Sequence, residues 1–492
     1  MAHRSRLTTQ YSILFMTDFK RSLGLIDATM IVAGGMIGSG IFIVGADMAR
    51  QLGSSGWLLT AWVITGLVTV MAALSYGELA GMMPKAGGQY IYIQRAFGEL
   101  PSFVYGWTVF MVIQTGTIAA VAAAFTKYSA IFLPALNREN AFFKMGSLQI
   151  GPAELFAMGS IVLLTYINSR GVQNGKWIQN IFTATKLIAL LGLTLLGINY
   201  GLDKDIFSAN LTNAWQASRT SADGLTSVPI AGTALLMAMG VAMIGSLFSS
   251  DAWNNVTFIA GEIKNPKRNI PLSLFLGTLI VTVIYVLATL SYLYVLPLSG
   301  SINATDVLGR GIQFAQYDRV ATAATSLIFG DVAVGLMAAL IMISTFGCNN
   351  GLILSGARLY YAMAQDGLFF KQAKELNANA VPAKALWFQC IWSCLLCLSG
   401  TYSDLLNYCT FGSLLFYVVT IGGIFVLRKT EPNTERPYRA FGYPFVPVLY
   451  IIVTVGICVI LLVDPQTRNN TGIGLLIAAA GIPVYYLTKK NT

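Results

Sequence analysis

Charge is what this chain has least of. Only 11% of its 492 residues are Asp, Glu, Lys or Arg, where soluble globular domains carry about 25%. Hydrophobic residues make up 55% and mean hydropathy is +0.65. That balance excludes a soluble protein and requires a polytopic membrane one. Histidine is nearly absent, His3 being the single one. No nucleophile–base constellation appears in the apolar segments either, so an enzyme is not expected. Cysteine is sparse: Cys348, Cys390, Cys394, Cys397, Cys409 and Cys458 all fall within apolar segments. Cys394 and Cys397 have the spacing of a redox or zinc pair, but no polar ligand set accompanies them. Buried free thiols are expected, with no metal and no cofactor. The first 20 residues lack the charged-then-apolar layout and cleavage site of a signal peptide, and are expected to form a cytoplasmic tail.

The formal charge of +10 would suit nucleic acid or anionic lipid if it were clustered. It is spread over short loops between apolar runs, which is a topology signal and not a nucleic-acid site. A sliding apolar window gives twelve candidate spans: 24–50, 57–83, 102–134, 151–168, 175–200, 229–260, 270–296, 331–362, 384–402, 404–428, 445–464 and 471–488. Twenty-one lysines and arginines fall on one side of these spans and eight on the other, with Lys127 and Lys186 inside spans. Both termini are therefore expected in the cytoplasm. The whole chain, 1–492, reads as one transmembrane domain with a first half at 24–200, a second at 229–428 and two extra helices at 445–488.

The first span should be a continuous helix, yet its middle reads Ala33-Gly34-Gly35-Met36-Ile37-Gly38-Ser39-Gly40-Ile41-Phe42. Each glycine costs a helix roughly 1 kcal/mol relative to alanine. Broken backbone is tolerated at this depth only where it lines a cavity or is buried in protein. A break at Gly38-Ser39-Gly40 would aim amide N–H groups at the membrane midplane, where a carboxylate could bind. A close helix–helix contact explains the small residues equally well. A second interruption falls in the sixth span, at Gly245-Ser246-Leu247-Phe248-Ser249-Ser250-Asp251-Ala252-Trp253-Asn254-Asn255. Spans 1 and 6 are corresponding members of two five-helix halves, which have opposite topology because five is odd. Two breaks at matching positions favour a transporter site over packing.

Two charged positions within these spans, Lys186 and Asp251, bear on function. Lys186 lies near the middle of span 5, about 11 residues from its start, too far at 1.5 Å each for easy snorkelling. A fixed ammonium there could replace a bound sodium ion and tie span 5 to spans 1 and 8. Ser344 and Cys348 of span 8, four residues apart, share a face that would meet Lys186 if it looks toward span 1. Asp251 could accept a cationic side chain, take up a proton, or cap the inner half of span 6. Lys127, near the outer end of span 3, is expected to snorkel outward. Glu78 and Asp27 are expected to be structural partners of loop lysines or arginines. The segment Pro84 to Ile93 is too short and glycine-rich to span; it could gate the inner side, or anchor at the headgroups through its tyrosines.

These residues resemble those of the amino acid–polyamine–organocation superfamily, and more closely the bacterial homologues of the L-type amino acid transporters, the light chains of heteromeric exchangers. The resemblance covers essentially the whole chain. It is carried by Gly35 through Phe42, Tyr76-Gly77-Glu78-Leu79 with Pro84-Lys85-Ala86-Gly87-Gly88, and Lys186. Further along it rests on Phe248 through Asn254, Phe346-Gly347-Cys348-Asn349-Asn350-Gly351 and Val426-Leu427-Arg428. It implies an all-α, leucine-transporter-type fold of 12 transmembrane helices, a 5+5 inverted repeat with helices 1 and 6 discontinuous. It also implies a substrate site at Met36, Gly38, Ser39, Gly40, Phe248, Ser249 and Asp251. There the amides at Ser39 and Gly40 hold the carboxylate, carbonyls at Met36, Phe248, Ser249 and Asp251 take the amino group, and Phe248 closes over the solute. Lys186 would stand where a sodium ion binds, beside Ser344 and Cys348. Two departures matter. Animal light chains carry a cysteine between spans 3 and 4 that bonds a heavy chain; residues 137–149 have none, so no disulfide-linked heavy chain is expected. Position 251 is often glycine in large-neutral transporters, and relatives with an acid there handle cationic amino acids or cystine.

The expectation is a sodium-independent amino acid exchanger in a bacterial cytoplasmic (inner) membrane, moving neutral and, in view of Asp251, cationic L-amino acids by alternating access. A proton-coupled symporter is the mechanistic alternative, and counterflow without pH dependence would argue against it. A non-transporting sensor on the same fold is the other, disfavoured because no soluble signalling domain is apparent.

Overall fold

The structure, a computed structural model, describes residues 21–145, 148–398 and 402–490. The expected cytoplasmic tail, 1–20, with its His3, lies outside the described residues. Among the described residues, ten helices are long and apolar enough to cross a membrane, and each coincides with one of the expected spans. The other two spans are shorter or less apolar: Pro152–Ser169, with Glu154 in its first turn, and Ala383–Cys397, only 15 residues. The molecule is an all-α polytopic membrane protein. Its only strands among the described residues are two small hairpins, Phe143–Met145 with Leu148–Ile150, and Ser218–Thr220 with Ser227–Pro229.

Burial sorts the helices. Span 1, Leu25–Ile43, is 78% buried, while the last two, Phe445–Val463 and Arg468–Lys489, are only 28% buried. The last two therefore stand at the periphery with Leu449, Ile452, Val459 and Leu476 facing outward, as lipid-facing helices must. Span 7, Pro266–Val295, packs along Ser55–Met82 of span 2, Val172–Gly201 of span 5 and span 1, while span 8, Val332–Gln365, packs on spans 3 and 5. The helix starts follow local chemistry. The hydroxyl of Ser54 accepts from Trp57 N at 3.3 Å to cap span 2, and prolines occupy the first turns of Pro152–Ser169 and Pro266–Val295.

Both expected interruptions are present. Span 1 is helical over Leu25–Met36 and resumes at Gly40–Ile43, then Gly45–Leu52. Span 6 is helical over Gly232–Ser249 and resumes only as Asn255–Phe258 and a 3-10 turn, Ala260–Glu262. A further irregularity was not anticipated: span 3, Glu99–Ser129, contains a π-helical turn at Val109–Ile113.

The inner end, the one expected to face the cytoplasm, is stitched by backbone and charge. Leu23 bridges Ile263 in parallel, and Glu262 O accepts from Ser22 N at 2.9 Å and Leu23 N at 3.0 Å. Glu262 in turn pairs with Arg358 of span 8 at 2.9 Å. Glu78 takes Arg428 at 2.6 Å, Arg436 at 3.2 Å and the amide of Ala440 at 2.7 Å, and Asp27 takes Lys176 at 2.8 Å. Both acids thus have the structural role expected of them. The segment around Pro84 is tucked under the inner part of span 6: Gly87 N donates to Phe258 O at 3.0 Å, and Gly88, at φ +43°, leaves no room for a Cβ, which would lie 2.7 Å from Thr257 C. Tyr90 and Tyr92 are buried, so they do not anchor at headgroups.

At the opposite end, the linker after span 5 folds back on the junction of spans 1 and 2. Gly56 N donates to Ala214 O at 2.9 Å, Arg219 Nε to Gln51 Oε1 at 2.8 Å, and Gly53, at φ +55°, lies against Ser218. Arg50 reaches Asp318 at 2.7 Å. Lys127 is exposed, as expected, with its ammonium 3.5 Å from Tyr317 O.

Candidate functional site at the paired helix breaks

The two breaks touch each other. A Cβ on Gly40 would fall 2.7 Å from the Cβ of Ser249, and one on Gly35 would fall 3.4 Å from Ala252 O. At position 40 only glycine permits this approach. Ala252 itself sits at φ +64°, a left-handed conformation that costs a residue with a Cβ and marks the turn in span 6.

Span 1's exposed carbonyls are met from spans 5 and 8. Lys186, 3% exposed, places its ammonium 2.6 Å from Gly34 O, 2.6 Å from Ile37 O and 3.5 Å from Ser344 O. The Ser344 hydroxyl lies 3.0 Å from Ile37 O and 2.9 Å from Gly38 O, and Cys348 Sγ lies 3.0 Å from Gly35 O. Carbonyls freed by the helix break would be unsatisfied in hydrocarbon; here a cation, a hydroxyl and a thiol serve them.

Met36, Phe248 and Ser249 offer backbone carbonyls to the same region. Met36 O and Ser249 O both lie within reach of the Tyr285 hydroxyl, at 3.1 and 3.0 Å, and Phe248 O accepts from Asp251 N at 3.1 Å. Met36 O also accepts from Gly38 N at 2.9 Å. Ser39 precedes the short helix that Gly40 begins, and the Phe248 ring is largely buried at 9% exposure. Tyr285 was missed in the sequence. A tyrosine inside an apolar span carries no local mark of a partner more than 200 residues away.

A family model for amino acid permeases matches residues 23–485. The chain belongs to that family. The permease is 29% identical over 475 residues to human "Large neutral amino acids transporter small subunit 2", covering 95% of this chain and 80% of that protein. It is 28% identical over 453 residues to mouse "b(0,+)-type amino acid transporter 1", covering 91% of this chain and 84% of that protein. This permease is accordingly a multi-pass membrane protein of amino acid transport, its solutes amino acids.

Asp251 does not cap the inner part of span 6; Asn254 holds that position. Its carboxylate instead accepts from Tyr417 Oη at 2.5 Å and Ser413 Oγ at 2.9 Å, both on span 10, Tyr408–Thr430. The capping alternative therefore falls. The acid borders a small cleft, about 20 Å³, that also touches Gln89, Gln114, Asn254 and the π-helical turn through Val109 and Ile113. Such turns widen a helix locally and recur at functional sites. Gln89 is the other residue the sequence did not mark. Its Oε1 accepts from Tyr105 at 3.0 Å and Asn254 at 2.8 Å, while its amide donates to Thr420 at 2.9 Å. Tyr417 lines the same cleft and packs on Trp253 at 5.0 Å, which in turn meets Tyr76 edge-on at 4.8 Å. Among the described residues, no group of histidine, cysteine and acidic side chains could hold a metal, and all six cysteines are free.

Proposed function

We propose that this permease is a sodium-independent exchanger, moving neutral and cationic L-amino acids one for one across a bacterial cytoplasmic membrane. The observation that carries this reading is the Lys186 ammonium, 2.6 Å from two carbonyls of broken span 1. A covalently held cation cannot enter with the solute, so it supplies the charge of a coupling ion without its gradient. The halves 24–200 and 229–428 form an inverted repeat around the breaks, and both termini are cytoplasmic.

In this reading the solute carboxylate lies at Gly38, Ser39 and Gly40, its ammonium at the carbonyls of Met36, Phe248, Ser249 and Asp251, and the Phe248 ring closes over it. Binding matters only as far as it favours the closed state over the open one. Exchange follows if the return of an empty site is slow. Asp251 supports inclusion of cationic side chains, and the absence of cysteine at 137–149 supports function without a disulfide-linked heavy chain.

The test is uptake of labelled amino acids into proteoliposomes, with and without unlabelled amino acid inside, in sodium and sodium-free buffers. Uptake only with internal solute, indifferent to sodium, is expected. Uptake into empty vesicles driven by a proton gradient would replace exchange with symport. No uptake of any amino acid would overturn the reading.

A further inference from the structure

Asp251 is the only acidic side chain in the paired breaks, and what it holds is two hydroxyl donors. Among the described residues no lysine or arginine pairs with it. The titratable groups packed toward it are Tyr417 and Cys409 of span 10, Tyr105 of span 3, Tyr76 of span 2 and Tyr450 of span 11, none of them cationic. It also borders two cavities at once, the cleft already described and a second one among Thr69, Ser250, Thr410 and Tyr450. An ionised carboxylate at this depth without a countercharge is costly. A cationic solute side chain supplies that charge; a neutral one does not.

The site also has a place for a proton. The Tyr417 hydroxyl lies 2.5 Å from Asp251 Oδ1 and 3.1 Å from Asn254 Oδ1, with a single proton to give. Asn254 is held with that oxygen toward Tyr417, because its nitrogen donates to Gln89 Oε1 at 2.8 Å. When Asp251 is ionised, Tyr417 donates to it. When Asp251 is protonated, its carboxyl donates to the Tyr417 oxygen and Tyr417 turns its own proton to Asn254. Both protonation states are hydrogen-bonded on one backbone.

We propose that Asp251 carries a proton whenever the bound amino acid is neutral and gives it up when the bound amino acid is cationic. The inference rests on the exchanger reading above. Its balance is simple. A cationic solute enters with Asp251 ionised. A neutral solute leaves with the carboxyl O–H bond formed by a proton from the inner water, and that bond breaks into the outer water when the next cationic solute binds. One positive charge crosses in each direction, so the exchange of cationic for neutral solute is electroneutral and moves a proton opposite to the cation.

The test uses the full chain in vesicles loaded with leucine and a pH dye, with arginine outside and the membrane potential set by potassium and valinomycin. The lumen is expected to become alkaline by about one proton per arginine entering, at a rate that ignores the imposed potential. Leucine on both sides is expected to give no pH change. Arginine–leucine exchange that leaves lumenal pH unchanged and follows an inside-negative potential would overturn the proposal. Leucine–leucine exchange gives an independent reading whether or not arginine is carried. It is expected to slow about tenfold as pH on both sides rises from about 6 to about 9, and the Asp251→Asn profile is expected to be flat. A flat wild-type profile overturns the proposal. Loss of all counterflow is seen in the uptake counts instead of the dye, and overturns the exchanger reading together with the proton.

Discussion

Arg358 Nε and Glu262 Oε1 lie 2.9 Å apart, with 0% and 1% of their side chains exposed. Each keeps a second polar atom, Arg358 Nη2 and Glu262 Oε2, without a partner among the described residues. A buried pair of this kind gains little over apolar packing, but removing one partner strands the other charge at a cost of about 3–5 kcal/mol. Glu262→Ala is expected to lower the thermal unfolding midpoint in detergent, and Glu262→Met combined with Arg358→Leu to recover most of the loss. A Glu262→Ala protein as stable as wild type would show that the pair does not secure this end.

Lys186→Ala leaves Gly34 O and Ile37 O without their 2.6 Å donor. Counterflow is expected to fall about tenfold, since Ile37 O keeps the Ser344 hydroxyl but Gly34 O is left as a buried acceptor without its donor, at a cost of about 1–3 kcal/mol in the conformation that needs it. Size-exclusion behaviour should be retained. Full counterflow activity would remove Lys186 from the mechanism.

Tyr285→Phe removes the hydroxyl that lies 3.1 Å from Met36 O and 3.0 Å from Ser249 O. A net hydrogen bond is worth about 1 kcal/mol, so solute affinity is expected to weaken about fivefold with little change in helix content. Binding measured by calorimetry or scintillation proximity decides it, and an unchanged affinity would make Tyr285 a packing residue.

Asp251→Gly removes the acid and leaves Tyr417 and Ser413 without their acceptor. Competition assays are expected to show preference moving from cationic toward neutral amino acids. An unchanged profile would show that the carboxylate does not read the solute side chain.

Gly40→Ala introduces a Cβ 2.7 Å from that of Ser249 and 3.1 Å from its Cα. The two breaks would have to part, and transport is expected to be lost while the protein still inserts. Normal uptake by this variant would show that the breaks need not touch.

Much of this site was legible because its signals were local. The glycine run at Gly38-Ser39-Gly40 and the polar run at Ser249 to Asn254 each contradict a spanning helix at the residues concerned. Lys186 is a charge where charge is expensive, and span 8 brings Ser344 and Cys348 to neighbouring carbonyls of the same break because four residues make about one helical turn. What escaped depends on distant pairing. Tyr285 and Gln89 are unremarkable in their own stretches and acquire a role only from carbonyls and amides supplied by other spans. The π-helical turn at Val109–Ile113 has an apolar sequence indistinguishable from ordinary helix. The pairing of Glu262 with Arg358 has no local mark either, since burial of both is a fact of packing and not of composition. For Asp251 the sequence allowed a cap, and the hydroxyls of span 10 decided otherwise.

The linker that follows span 5 is tied to the junction of spans 1 and 2 through Ala214, Ser218 and Arg219, so it is not a slack tether. Lengthening or stiffening that stretch, far from the breaks, is expected to be felt by the helix Gly45–Leu52.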